Sequence, residues 1–229
     1  MSGQTQVRVL LVDDQELFRE GVRVIIDAQE GLEVVGVAAD GLEGVRLVDE
    51  LAPDVVLMDI RMPELDGVEA TRQVFSAARV SARERPVRVL VLTTFNLDDR
   101  AATAIRLGAS GFLLKGATPA QLADAIRTVH GGNAVLAPGD LTMLLEREFA
   151  PAAVADPPAS YTSLTEKERE VFAGLARGLS NAEIGAEIFL SESTVKTHVG
   201  ALLRKLGLRD RVQVVVFAHE HGLVTPHQM

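Results

Sequence analysis

The chain has 229 residues, a formal net charge of −9 and a composition that is 47% hydrophobic, which is enough for one large or two modest domains. It contains no cysteine, which excludes disulfides and thiolate metal sites. No apolar run approaches the roughly 18 residues of a membrane span, and no signal peptide is evident, so we expect a cytoplasmic protein with no membrane partner.

The negative charge is unevenly distributed along the chain. Residues 1–130 carry a net charge of −6, residues 131–160 carry −3, and residues 161–229 are balanced. An acidic chain is not typical of a general nucleic-acid binder, but local charge matters more than the total. The last segment stays a candidate for DNA binding because part of it is locally basic.

The first 130 residues alternate between short apolar runs and periodic stretches. The apolar runs predict strands at 7–12, 33–38, 54–58, 87–92 and 110–114. The periodic stretches predict helices near 15–28, 41–51, 66–78, 98–107 and 119–130. Five β/α units with short connections predict an α/β domain with a five-stranded, doubly wound parallel sheet covered by helices on both faces.

Residues 131–160 differ in character from the segments on either side. We predict one more helix over 139–149, followed by an exposed linker in the Ala- and Pro-rich sequence PAAVADPPAS. An ordinary long loop inside one domain is the alternative, and the change of pattern after it argues against that alternative. The predicted division is therefore a first domain over 1–130, a linker over 131–160 and a second domain over 161–229.

The second domain is predicted to be all-α. Its sequence indicates four short helices, near 165–177, 181–188, 192–206 and 210–221. Thr165 with Glu168, and Ser180 with Glu183, have the spacing of capping boxes, and Ser191 is a natural N-cap. These signals fix the helix starts more sharply than periodicity alone.

Polar side chains follow four of the predicted strands. Asp13-Asp14, Asp59, Thr93 and Lys115 each stand where an apolar run ends. Parallel strands gather their C-terminal ends at one edge of a sheet, so these groups are expected to meet there. Clustered carboxylate oxygens suit Mg²⁺, and the whole set suits a metal-assisted phosphoryl transfer onto a carboxylate.

Each of these residues also has a plainer interpretation. A lone pair of aspartates is more often part of a solvated loop, and a threonine near a strand end is more often structural. Lys115, however, is the only lysine among residues 1–130, which contain 13 arginines. A compact ammonium suits a tight phosphate pocket better than a broad guanidinium does.

Residues 7–130 resemble the receiver domain of two-component response regulators. The resemblance implies a flavodoxin-like fold with Asp59 as the phosphoacceptor. It implies a Mg²⁺ ion bound directly by Asp14, by Asp13 directly or through water, and by the backbone carbonyl of Arg61. The implied phosphoryl donor is a sensor histidine kinase.

The same resemblance assigns roles at the ends of the last two strands. Thr93 and Lys115 would contact the phosphoryl group, and Phe112 would be the switch aromatic that fills the space Thr93 leaves. Many receivers have proline after this lysine, whereas this chain has Gly116, which puts in doubt the cis peptide often found there.

The segment from about 164 to 219 resembles the LuxR-type helix-turn-helix domain, and with a receiver it indicates the NarL/FixJ class. The motif would span 181–200 or slightly beyond, with 192–206 as the recognition helix. Every charged residue between Ser193 and Arg209 is basic, which suits phosphate contacts, although such a cluster alone is more often a solvated face. The residues predicted to contact DNA are Thr194, Lys196, Thr197, His198, Arg204 and Lys205.

These resemblances predict a transcription regulator controlled by phosphorylation. Its expected partners are the kinase, double-stranded promoter DNA, RNA polymerase and a second copy of the chain when phosphorylated. The helix over 210–221 is expected to offer Val212, Val215, Val216 and His219 as a dimer face.

Two other functions compete with this prediction. An aspartyl-phosphate phosphatase would need an acid two residues after Asp59, where this chain has Arg61, so we expect no enzyme beyond phosphotransfer and dephosphorylation of the chain itself. A regulator that senses a small molecule would not need the acidic strand ends.

Overall fold

The computed structural model describes residues 6–94, 99–133 and 157–223, and the chain divides into two compact units, 1–135 and 136–229. The first unit contains a five-stranded sheet in which every neighbouring pair is parallel, in the order β2-β1-β3-β4-β5. The strands are β1 Val7–Val12, β2 Leu32–Ala38, β3 Val55–Asp59, β4 Arg88–Thr93 and β5 Gly111–Leu114. The predicted fold class of this unit is confirmed.

Helices connect the strands of the first unit. They are α1 Glu16–Asp27, α2 Gly41–Leu51, α3 Gly67–Val74, α4 Ala77–Ala82, α5 Asp99–Arg106 and α6 Pro119–His130. The prediction of one helix over 66–78 was wrong, because the chain leaves the helical conformation at Ser76, which has a ψ of 142°. The guanidinium of Arg83 donates to the carbonyl of Val74 at 2.6 Å and so satisfies one of the groups exposed by that break.

The strands at the centre of this sheet are buried on both faces. Residues 9–12 of β1 and all of β3 have almost no exposed surface. One face packs against α1 and α6 through Ile26 and Ile126, both fully buried. Burial on both sides explains why these strands are continuous apolar runs rather than alternating ones.

The second unit is all-α within the described residues. Its helices are α7 Ala159–Thr162, α8 Glu166–Ala176, α9 Asn181–Ile188, α10 Glu192–Leu206 and α11 Arg211–Glu220. The two predicted capping boxes and the N-cap at Ser191 are confirmed by their hydrogen bonds. None of the described helices is both long and apolar enough to cross a bilayer.

Helix α7 begins inside the segment expected to be linker. Tyr161 of α7 packs its ring edge-on against Phe172 of α8, with 5.0 Å between the ring centroids. This contact joins α7 to the core of the second unit, which periodicity cannot indicate for a helix of one turn. The helix predicted over 139–149 and most of the predicted linker lie outside the described residues.

The loop after β3 depends on a glycine. Gly67 opens α3, and its backbone N–H donates to the carbonyl of Ile60 at 3.0 Å. A Cβ atom at this position would lie 1.9 Å from the carbonyl oxygen of Asp59, which is a rigid backbone atom. The close approach therefore ties the start of α3 to the end of β3.

We expect Gly67→Ala to lower the free energy of unfolding of the first unit by more than about 2 kcal/mol, because the backbone must move to relieve the clash. Urea unfolding of the full chain measures this. The control is Gly21→Ala inside α1, where a Cβ meets nothing within 4 Å. That change should stabilise the unit by about 0.5–1 kcal/mol. Equal midpoints for the two variants would contradict the steric argument.

Candidate functional site

Three carboxylates meet at the C-terminal edge of the sheet. Asp13 and Asp14 follow β1, and Asp59 is the last residue of β3. Each offers one oxygen, and the three oxygens lie within 4.8 Å of one another. Asp13 is fully buried and Asp59 is 5% exposed, whereas Asp14 is exposed. The structure therefore brings together the three acids that the sequence placed at separate strand ends.

A single ammonium group lies against two of these acids. Nζ of Lys115 is 2.7 Å from Oδ2 of Asp13 and 2.9 Å from Oδ2 of Asp59. The side chain of Lys115 is only 8% exposed, and its backbone N–H donates to the carbonyl of Thr93 at 2.8 Å. The peptide bond after Lys115 is trans. Lys115 thus links the ends of β1, β3, β4 and β5.

The first turn of α1 holds Asp13 and Lys115 from the other side. The backbone N–H of Gln15 donates to Oδ1 of Asp13 at 3.0 Å, and the guanidinium of Arg19 donates to the carbonyl of Asp13. The ring of Phe18 lies under Lys115, with 4.8 Å between Nζ and the ring centroid. The sequence did not single out these residues, and the only available signal was their place directly after the aspartate pair or about one turn beyond it.

The charges of the pocket shift two pKa values. Burial raises the pKa of Asp59, a hydrogen bond from Lys115 and the backbone N–H of Arg61 oppose the rise, and the charge of Asp13 adds to it. Burial lowers the pKa of Lys115, but hydrogen bonds to Asp13 and Asp59 outweigh burial and raise it overall. With all groups ionised, three carboxylates face one ammonium, so oxygen ligands and an excess of two negative charges fit a small divalent cation such as Mg²⁺.

Thr93 and Phe112 lie on the same face of the sheet. Thr93 ends β4 and is buried, whereas Phe112 is half-buried on β5, opposite Val91. Leu92 and Leu113 belong to the core between the sheet and helices α1 and α6, so their strand neighbours point the other way. Thr93 and Phe112 therefore share a layer, as a coupled pair of side chains would need.

A second candidate site is formed by α9, a tight turn and α10. The turn begins at Phe189, which has a φ of 58° and is 93% exposed. It ends at Ser191, whose side chain accepts from the backbone N–H of Thr194 at 3.2 Å. A Cβ at Gly185 would lie 2.5 Å from the carbonyl oxygen of Leu190, so glycine allows the close approach of turn and helix. This is the geometry of a helix-turn-helix motif.

Two family models match the chain, one for each unit. The response regulator receiver domain matches residues 9–127, and the bacterial regulatory proteins of the luxR family match residues 162–218. The chain belongs to the two-component response regulators.

Two similar proteins align with almost the whole length of this chain. The transcriptional regulatory protein LiaR of Bacillus subtilis (strain 168) is 42% identical over 219 residues, which are 95% of this chain and 99% of LiaR. The response regulator protein VraR of Staphylococcus aureus (strain NCTC 8325 / PS 47) is 36% identical over 219 residues, with coverage of 95% and 99%. With the luxR-family match over its second unit, the chain is a DNA-binding transcription regulator of the response-regulator family.

Solved structures of response regulators are also similar to this chain. The response regulator ChrA of a heme-sensing two-component system is 34% identical, with a TM-score of 0.50 and coverage of 96% of this chain and 100% of ChrA. A LuxR-family response regulator from Aurantimonas sp. SI85-9A1 is 35% identical, with a TM-score of 0.54 and coverage of 62% and 98%.

The predicted DNA contacts of the response regulator lie on α10, and the structure assigns some of them a local role. Lys196, Thr197, Arg204 and Lys205 are exposed, whereas Thr194 and His198 are half-buried, and contact with DNA stays a prediction for all six. Two hydroxyls are used inside the protein: the Thr194 hydroxyl lies 2.7 Å from that of Ser191, and the Thr197 hydroxyl donates to the Ser193 carbonyl at 3.1 Å.

The expected dimer face on α11 is not a free surface in this structure. Val212, Val215, Val216 and His219 are 0%, 2%, 3% and 9% exposed in the single chain. These four side chains therefore have little exposed surface in the single chain, and the use of α11 as a dimer face stays a prediction.

Glu168 anchors the other end of α10. Its carboxylate accepts from the backbone N–H of Thr165 at 2.8 Å, and Nζ of Lys205 lies 2.6 Å away. Hydrogen bonds from Lys205 and Thr165 lower the pKa of this buried acid to about 2. One carboxylate therefore caps α8 and binds the last turn of α10.

We expect the LuxR-type domain to lose stability as pH falls from about 4.5 to about 2, the window between the unfolded and folded pKa values of Glu168. The ionised form contributes above this window and not below it. The loss should be about 1–2 kcal/mol, because solvent screens the half-exposed Lys205. Urea unfolding at several pH values should give a flatter profile for Glu168→Gln.

Glu166→Gln, on the same helix, is the matched control and should keep most of the wild-type pH dependence because Glu168 is still present. The interpretation is contradicted if the Glu168→Gln and wild-type profiles are parallel.

Proposed function

We propose that Asp59 accepts a phosphoryl group from the phosphohistidine of a sensor histidine kinase, and that this event controls binding of promoter DNA in the cytoplasm. The supporting observation is the convergence of three carboxylate oxygens within 4.8 Å with the ammonium of Lys115 at 2.9 Å from Asp59. The Mg²⁺ ligands would be Asp13, Asp14, Asp59 and the backbone carbonyl of Arg61. The bound ion would neutralise negative charge on the carboxylates and the transferring group.

The side chains of the pocket suit an in-line transfer. An Oδ atom of Asp59 attacks phosphorus, the new O–P bond forms, and the P–N bond to the kinase imidazole breaks. Lys115 balances negative charge on the phosphoryl oxygens, and the hydroxyl of Thr93 donates to one of them. Positioning and electrostatics therefore supply most of the catalysis.

Phosphorylation would change the charge and packing of the receiver. It adds about 1.5–2 negative charges beside Lys115. Thr93 would move toward the new oxygens, and Phe112, on the same face of the sheet, would turn into the space it leaves. That is a two-state packing switch biased by a local charge.

The LuxR-type domain would bind DNA through α10. A recognition helix places its first turns in the major groove, which puts Lys196, Thr197 and His198 near base edges and phosphates. Arg204 and Lys205 would contact phosphates farther along the helix. A phosphorylated homodimer would bind two DNA half-sites of related sequence. RNA polymerase would then contact the dimer on the promoter.

Asp59→Asn should abolish a labile adduct that wild type forms with acetyl phosphate and Mg²⁺, because the amide oxygen is a poor nucleophile. Intact-protein mass spectrometry detects the adduct, and a gel shift on promoter fragments detects its effect on binding. Asp124→Asn, at an exposed position on α6, is the control and should behave as wild type. Phosphodonor-enhanced DNA binding that survives in Asp59→Asn would sink the assignment.

Lys196→Ala should weaken DNA binding on all sequences and reduce the slope of log K against log salt by about one, because one phosphate contact is lost. Fluorescence anisotropy at several salt concentrations measures both. Lys167→Ala on α8, where Lys167 pairs with Glu170 at 2.7 Å, is the control and should leave the slope unchanged. If wild type, Lys196→Ala and Lys167→Ala all had the same slope, the proposed contact between Lys196 and a DNA phosphate would be contradicted.

A further inference from the structure

The aromatic ring of Phe18 lies against the ammonium of the pocket. Nζ of Lys115 lies 4.8 Å from the ring centroid, within the range of cation–π attraction. The same ammonium is 2.7 Å and 2.9 Å from the two carboxylates of the pocket. Lys115 therefore has negative oxygens and a π face as its neighbours, and 8% of its side chain is exposed.

We propose that Phe18 is a positioning residue for phosphoryl transfer, which holds the ammonium of Lys115 in place through this cation–π contact. The proposal rests on the proposed function, because it concerns the same pocket. Phe18 touches neither the carboxylates' metal-binding oxygens nor the phosphoryl group in that function, and it acts through Lys115.

The first turn of α1 fixes the ring relative to the acids. Gln15 and Arg19, on either side of Phe18, hydrogen-bond the side chain and the carbonyl of Asp13. Farther along the helix, Val22 and Ile26 are buried against the sheet. The ring and Asp13 therefore belong to one rigid piece of the structure, and Lys115 is held between them.

A ring does something at this position that a carboxylate cannot. Asp13 and Asp59 would share their charge with a divalent cation, and their attraction for the ammonium would then weaken. A neutral ring is not a ligand for a hard cation, so its attraction for Lys115 persists in both the metal-free and the metal-bound pocket. The buried stem of Lys115 could otherwise swing the ammonium toward solvent, since lysine is a flexible chain.

A groove beside Phe18 gives the ammonium of Lys115 space to move away from the carboxylates. Phe18 and Lys115 both line an apolar groove of about 220 Å³, bounded also by Leu17, Ile25, Leu114 and Leu122. Leu17 and Leu114 are exposed at its rim. Removing the ring would enlarge this groove beside Lys115 and give the ammonium room to leave the carboxylates.

The first experiment examines Lys115 in metal-free protein. The chain has four lysines, so the ε-methylene signals can be resolved by NMR and assigned with Lys115→Arg. A cation above a ring face gives upfield-shifted ε-methylene protons. We expect that shift in wild type, its loss in Phe18→Leu and its retention in Phe18→Trp. An unshifted wild-type signal, or one that Phe18→Leu leaves unchanged, would overturn the contact.

The second experiment measures phosphorylation by acetyl phosphate with Mg²⁺. Phe18→Leu should react about 3- to 10-fold more slowly, and Phe18→Trp should restore the rate. Stepwise fluorination of Phe18 keeps the fold and nearly the volume but weakens the π face, so the rate should fall with each fluorine. A rate independent of fluorination would mean that the ring only fills space.

Ile25→Ala is the matched control, because Ile25 lines the same groove but its aliphatic side chain offers no π face to the ammonium. Its rate should equal that of wild type, and a loss as large as that of Phe18→Leu would overturn the specific role. The two experiments separate failure of this proposal from failure of the proposed function. If the proposed function fails, wild type forms no phosphoryl adduct, but the NMR signal of Lys115 still shows whether the ring contacts the ammonium.

Discussion

The contact of the Lys115 ammonium with the carboxylates of Asp13 and Asp59 is the interaction on which the acidic pocket of the receiver depends. Buried like charges repel, and two acids this close would be costly without a cation between them. Lys115 supplies that cation from a fourth strand end, and its backbone pairs with Thr93 on the neighbouring strand. One side chain therefore makes the metal-free pocket stable while leaving an excess of negative charge for a divalent ion.

The rest of the receiver serves to keep that arrangement in register. Parallel strands buried on both faces cannot slip without exposing apolar groups, so the positions of the strand ends are fixed by the core. Gly67 lets α3 approach the backbone of Asp59, and the first turn of α1 grips Asp13. The backbone on either side of these acids is thus held in place, which suits the proposed gain and loss of a phosphoryl group.

The LuxR-type domain also depends on a buried carboxylate paired with a lysine, in this case Glu168 with Lys205. The buried carboxylate of Glu168 caps α8 and binds Lys205 in the last turn of α10, so the helix that would enter the groove is joined to a neighbouring helix. The hydroxyls of Thr194 and Ser191 stabilise its first turn. Helix α10 is thereby held at both ends, and its second turn carries the exposed Lys196 and Thr197.

The sequence alone determined the β/α alternation, the capped helices of the second domain and the residues at the strand ends, because each depends on local periodicity or on a side chain bonding its own backbone. Tertiary structure decided the rest. The break of the helix at Ser76, where Arg83 binds the carbonyl of Val74, and the packing of Tyr161 on Phe172 depend on contacts between neighbouring elements, which local periodicity does not indicate. The ring of Phe18 beside Lys115 is the clearest case, because no spacing links residues 18 and 115 until the fold brings the first turn of α1 and the residue after β5 together at one edge of the sheet.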